Sequence, residues 1–253
     1  MNLLSPILLS LRVAALATLV TLLVGLGLAR LLGLRRVPLR RLWEAVIMLP
    51  LVFPPTLTGY LLLVILGKRG PIGALLASLG LTVVFTWIAA VIASFVVSLP
   101  LMFQNCKAAL LSVDPQYENA ARTLGLSEGR VFRRITLPLA APGILAGTAL
   151  SFARAMGEFG ATLMVAGNIP GRTQTMPLAL YAAVEGGRSV EANILLAVTV
   201  GLCFALVAVV SIYERRGYRV RDSGRPEGEL PRNGRPRTGR PWNGRIRNGG
   251  GRP

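Results

Sequence analysis

Two charges stand where charge is expensive. Arg154 and Glu158 lie four residues apart in the apolar stretch FARAMGEFGATLM, on one face if the stretch is helical. A lone ion at membrane depth costs about 2.5 kcal/mol or more, so the two are expected to pair with each other or with groups on another helix. The second group is MLPLVFPPTLTGYLLLV, where Pro50, Pro54 and Pro55 must break or kink a helix and release backbone carbonyls in an apolar environment. Thr56, Thr58, neighbouring helices or water in a path can satisfy them. Broken helices of this kind border transport sites, although a packing kink is an equally good reading of the sequence alone. Pro54, Pro55, Thr56, Thr58, Arg154, Glu158 and Thr162 are therefore the candidate lining of a translocation path.

Covalent and acid-base chemistry has little to work with. There is no histidine, and the two cysteines, Cys106 and Cys203, stand apart without metal-ligand spacing and read as buried structural thiols. No paired carboxylates occur in the apolar runs, and no nucleophile stands beside a base. The phosphate-cradling pattern Gly-x-x-x-x-Gly-Lys-Ser/Thr is missing, since GKRG at Gly67 has neither its spacing nor its helix. GLGLAR at Gly25 lacks the third glycine and the preceding strand of a dinucleotide site. No cofactor, metal site or enzymatic activity is expected, and any power for transport must come from another chain.

The elements that position these residues are membrane spans. With 53% hydrophobic and 15% charged residues in a chain of 253, the composition is too apolar for one soluble domain. Apolar runs cover Ile7–Leu34, Leu42–Leu66, Thr82–Phe103, a stretch from about Leu139, and Ile194–Ile212, which gives about five helices able to cross roughly 30 Å of hydrocarbon. Ile72–Leu79 is too short to span and reads as interfacial. Thr175–Glu185 reads as re-entrant or interfacial and leaves a sixth span open. Arg12, near the start of the first run, reads as snorkelling to the interface. A cleavable leader is not expected there, because the basic residues Arg30, Arg35, Arg36, Arg40 and Arg41 follow the apolar run instead of preceding it. In the fourth run Gly143 and Gly147 let another helix approach closely. Of the loops between runs, those after the first and third hold most of the Arg and Lys and those after the second and fourth hold few, which places the former and the C-terminus in the cytoplasm and the N-terminus outside.

Between the third and fourth runs lies a polar, basic island, Asp114 to Pro142. Asp114 can cap a first short helix with Pro115 at its first position, and Gly125 ends it. A second short helix starts at Ser127 as cap and carries Val131, Phe132 and Ile135 on one stripe, with Arg130, Arg133 and Arg134 mostly off it. This helix-turn-helix is too polar for lipid and too apolar on one face to float free, so it needs a groove on a partner protein or the lipid surface.

The island resembles the cytoplasmic loop of permease subunits of bacterial import ABC transporters, whose pattern is Glu-Ala-Ala, three residues, Gly, nine residues, Ile, one residue, Leu-Pro. Ala120, Ala121, Gly125, Ile135, Leu137 and Pro138 stand at those spacings, while Asn119 replaces the usual glutamate and Glu118 precedes it. That shift turns the carboxylate by about 100° around the helix. Within this superfamily, LPLVFPPTLTGYLLLV, ENAARTLG and FARAMGEFGATLMVAGNIPGRTQTMP look like molybdate permeases, with sulfate permeases close behind. The short N-terminal region favours molybdate. The resemblance implies an all-α integral membrane protein of the type I importer permease kind. It also implies a homodimer in the inner membrane, two copies of an ABC ATPase subunit docked on the loops, and an external oxyanion-binding protein. Tungstate and sulfate or thiosulfate are the alternative cargoes.

Two readings from other classes are weighed against this one. An ion-coupled secondary transporter should carry internal repeats and intramembrane carboxylates, and only Glu158 qualifies. A membrane-embedded enzyme finds no catalytic cluster. The chain divides into a permease domain, 1–221, and a basic Arg/Gly/Pro/Asn-rich tail, 222–253, expected to be disordered. The tail is read as attracted to anionic membrane lipid, and not as a nucleic-acid-binding arm.

Overall fold

The computed structural model of the chain describes residues 3–34 and 37–222. All regular structure among the described residues is helical. The long helices are α1 (Leu4–Leu34), α5 (Trp87–Leu111), α8 (Leu137–Met156) and α11 (Ser189–Asp222). Between them run α2 (Arg40–Val52), α3 (Pro55–Leu66), α4 (Pro71–Ser78), α6 (Pro115–Thr123), α7 (Glu128–Val131), α9 (Gly160–Ala166) and α10 (Met176–Glu185).

Alanines line the closest helix contacts, beside larger buried side chains such as Met102, Phe103 and Leu178, and many large apolar side chains lie on the exterior. Ala14, Ala17, Ala89, Ala90 and Ala93 have no exposed surface, whereas Leu19, Leu23, Leu31, Leu61 and Val64 are exposed. Lipid tails are as apolar as leucine, so nothing drives large side chains inward, and close backbone approach gains dispersion instead. α5 is the central post, with α1 and α8 packed along it. A Cβ at Gly25 would lie 2.8 Å from Met102 Cγ, one at Gly143 2.8 Å from Ala109 Cβ, and one at Gly147 2.5 Å from Asn105 Cβ. The last two put the close approach of the Gly143/Gly147 pair on α5. Hydroxyls join the same seam, where Thr21 and Ser98 lie 3.3 Å apart, oxygen to oxygen.

Several boundaries differ from those read in the sequence. The third run, read as Thr82–Phe103, is helical from Trp87 and continues through Pro100 to Leu111 as α5. The Leu42–Leu66 run is broken at its prolines, as one of the two outcomes read from the sequence. α2 and α3 meet at 113°, with Phe53 and Pro54 extended between them. Three described helical stretches are long and apolar enough to cross a membrane by themselves, Leu4–Gly33, Trp87–Leu111 and Glu128–Met156, and a fourth is counted if the bent pair is one span. α11 supplies a further apolar stretch, Ser189–Ala205. Cys106 is buried as expected, but Cys203 is exposed on α11 and is no core thiol. Arg12 stacks its guanidinium 4.0 Å over the Trp87 ring, a cation on an aromatic face. The tail from 223 onward lies outside the described residues.

Candidate functional site: a loop on the bundle end and a junction of broken helices

Local chemistry builds the loop. The Asp114 carboxylate accepts from the Gln116 N–H at 2.9 Å, and Pro115 follows as the first helical residue. At the other end of α6, Leu126 N–H donates to Ala121 C=O at 3.2 Å and Gly125 N–H to Arg122 C=O at 2.9 Å. This is a Schellman closure, with Gly125 at φ +80°. Ser127 holds the N-cap position of α7, but its hydroxyl caps nothing, and the turn closes through its carbonyl.

The second loop helix is not a separate element. α7 passes through a π-turn, Phe132–Thr136, directly into α8, and Leu137 N–H donates back to Phe132 C=O. The extra residue per turn rotates the faces, so Phe132 and Thr136 are buried while Arg133 and Arg134 are exposed. Arg30 of α1 lies 3.8 Å over the Phe132 ring. Thr136 donates to Glu118 Oε1 at 2.6 Å, which ties α6 to the base of α8.

Arg122 is the hub of the loop, and the sequence reading passed over it. Its guanidinium donates to Glu128 at 2.7 Å, to Asn119 Oδ1 at 2.8 Å and to Glu118 Oε2 at 3.2 Å. Glu128 first, and Glu118 after it, push the Arg122 pKa above its ordinary value, so the hub stays charged. The i, i+4 spacing of Glu118 and Arg122 was a visible signal. The contribution of Glu128 was not, because it depends on the turn at Gly125. Of the loop residues named from the sequence, Ala121 is buried, whereas Asn119, Ala120, Gly125 and Pro138 are exposed and Ile135 and Leu137 half-buried.

The second cluster forms where two helix breaks meet. α8 stops at Gly157, and Glu158 turns back to accept from Ala161 N–H at 2.8 Å, capping the start of α9. Its other oxygen accepts from Arg154 Nη1 at 2.8 Å. The Glu158 side chain is 1% exposed and that of Arg154 32%. The break between α2 and α3 packs onto this junction, since a Cβ at Gly160 would lie 3.0 Å from Pro55 Cβ and 3.3 Å from Thr56 N. One turn further, a Cβ at Gly59 would lie 2.7 Å from Ala161 Cα. Pro55 and Thr56 are thereby brought against Gly160, two residues beyond Glu158, although Pro54, Pro55 and Thr56 keep exposed surface.

Buried and half-buried hydroxyls fall into two groups, partnered and unpartnered. Thr21, Ser98, Thr148 and Thr199 bond back to the carbonyl four residues earlier, the usual solution in an apolar helix. Thr58 and Thr162 on α3 and α9 are buried without a hydrogen-bond partner among the described residues, as are Thr18, Ser151 and Thr175. The α3 and α9 pair is held by glycine contact, which makes a direct prediction. Gly59→Val places its Cβ against backbone, so it should destabilise the purified protein by about 1–3 kcal/mol, read as a lowered melting temperature in detergent. Gly27→Ala, with nothing within 4 Å, should leave it unchanged.

A helical bundle with three stretches long and apolar enough to cross a membrane, a broken pair beside them and an ordered loop at one end is the architecture of a multi-pass membrane protein. The model of the family described as "Binding-protein-dependent transport system inner membrane component" matches residues 7–216, and the chain belongs to that family. The chain is 46% identical over 209 residues to the "Molybdenum transport system permease protein ModB" of Escherichia coli (strain K12), covering 81% of this chain and 88% of that protein. It is 33% identical over 196 residues to the "Sulfate transport system permease protein CysT" of Salmonella typhimurium, covering 76% of this chain and 71% of that one. Among solved structures, the MetNI methionine ABC transporter in inward-facing conformations aligns with a TM-score of 0.66 at 16% identity, over 85% of this chain and 95% of that one. That likeness is one of fold.

Proposed function

We propose that the chain is the permease subunit of an ABC importer that carries a tetrahedral oxyanion, molybdate, across the inner membrane. The observation that carries the choice of cargo is the 46% identity to a molybdenum permease against 33% to a sulfate permease. Two copies form the path, two ATPase subunits dock on the paired loops, and an external binding protein delivers the anion. The loop and the C-terminus face the cytoplasm. ATP binding closes the ATPase pair and pushes α6. The Glu118–Thr136 hydrogen bond and the unbroken run from α7 into α8 pass that push to the span, so that access alternates between the two sides.

The path residues are Pro54, Pro55, Thr56, Thr58, Arg154, Glu158 and Thr162, and the docking residues are Glu118, Asn119, Ala120, Ala121, Gly125, Ile135, Leu137 and Pro138. Complementation tests the cargo. Expressed with its ATPase and binding protein in a bacterium lacking its own molybdate permease, the chain should restore high-affinity uptake of radiolabelled molybdate, and excess sulfate should compete poorly. Strong competition by sulfate would move the cargo to the sulfate class. Removal of residues 223–253 should leave this uptake unchanged, and loss of ATPase assembly in the truncated chain would give the tail a role it is not assigned here.

A further inference from the structure

We infer that Arg154 is a direct contact for the transported dianion on the outer side of the path, with Glu158 set beside it to keep that contact short-lived. The inference rests on the proposed oxyanion path and on the cytoplasmic placement of the loop. From Leu137 to Arg154 is about 25 Å at 1.5 Å per residue, which brings Arg154 across most of the hydrocarbon from the loop. A guanidinium at that depth does not face lipid, so its 32% exposed surface faces the bundle interior, a partner or a water-filled path. Only Nη1 is engaged, by Glu158 Oε2 at 2.8 Å. The Nε and Nη2 edge has no partner among the described residues, and it is the planar fork that fits two oxygens of a tetrahedral anion.

Glu158 explains why such a site does not trap its ligand. It is buried, held from behind by the Ala161 N–H, and cannot swing away when an anion arrives. The anion therefore meets a guanidinium already half neutralised and a fixed carboxylate that repels it. Conduction needs binding strong enough for entry and weak enough for exit, and a fixed counter-charge provides the second condition. Ser151, three residues before Arg154 on α8, and Thr162, next to Ala161 on α9, are buried hydroxyls without partners among the described residues.

The alternative is that Arg154 serves only to pin Glu158 at the helix break. The two roles differ in the sign of one measurement. Retention of radiolabelled molybdate and of sulfate is measured by equilibrium dialysis on the purified permease–ATPase complex, without binding protein, for the wild type, Glu158→Gln, Arg154→Lys and Arg154→Gln. Glu158→Gln keeps an oxygen for Ala161 N–H but removes the opposing charge, so it should retain molybdate about tenfold more tightly. With loaded binding protein and ATP, it should turn over more slowly. Arg154→Lys should weaken retention and Arg154→Gln abolish it, with co-purification of the ATPase confirming assembly. Equal, unchanged retention in assembled Glu158→Gln and Arg154→Lys complexes would overturn the inference, and would leave the transport reading standing if the wild type still imports molybdate. Tighter retention of sulfate alone in Glu158→Gln would keep the site and overturn molybdate as its cargo.

Discussion

Gly125→Val should yield a permease that inserts and folds but fails to import. Gly125 stands at φ +80° with nothing within 4 Å of a Cβ position, so the space is free and the backbone is the obstacle. A β-branched residue pays roughly 1–2 kcal/mol for that conformation and escapes it by opening the Schellman closure. Opening it moves Glu128 away from Arg122 and takes α6 off its angle. Since 1.4 kcal/mol is about a factor of ten, uptake should fall by about that factor or more, with the ATPase lost or uncoupled on co-purification. Normal uptake with the ATPase bound would mean that docking lies elsewhere.

Thr136→Val separates docking from transmission. It keeps the shape of a buried, β-branched side chain in the π-turn and removes the hydroxyl that donates to Glu118 at 2.6 Å. A hydrogen bond to a charged group contributes about 1.5–3 kcal/mol. The Arg122 hub keeps its links to Asn119 and Glu128, so α6 should remain folded and the ATPase should still co-purify. Uptake should nevertheless drop roughly tenfold while ATP hydrolysis continues, and Thr136→Ser should restore it. If the valine variant hydrolyses and transports at the wild-type ratio, the push on α6 reaches α8 through the backbone alone.

These two residues also mark how far the sequence could be read. Asp114, Pro115 and Gly125 were legible because capping and left-handed termination are local, set by one residue and its immediate neighbours. The Arg154–Glu158 pair was legible because four residues is one helical turn. Thr136 was not, since a π-turn leaves no fixed residue signature and the bond it makes crosses eighteen positions. The merging of α7 into α8 was missed for a related reason, because the island was read as a separate helix-turn-helix reaching Pro142, whereas Glu128–Met156 is one helical stretch through Pro138 and Pro142. The meeting of Pro55 with Gly160 depends on the 113° bend between α2 and α3, which three prolines announce but cannot quantify. The exposed Cys203 shows the opposite limit. In a membrane protein an apolar residue type does not tell whether a side chain meets protein or lipid.

Reconstitution shows whether a separate ATPase drives an oxyanion through this chain. Radiolabelled molybdate uptake is measured in liposomes holding the purified chain, with and without its ATPase, ATP and loaded binding protein. Uptake should occur only when all are present, with none from the chain alone under an imposed proton or sodium gradient. Gradient-driven uptake by the chain alone would contradict ATPase drive and make the protein a secondary transporter.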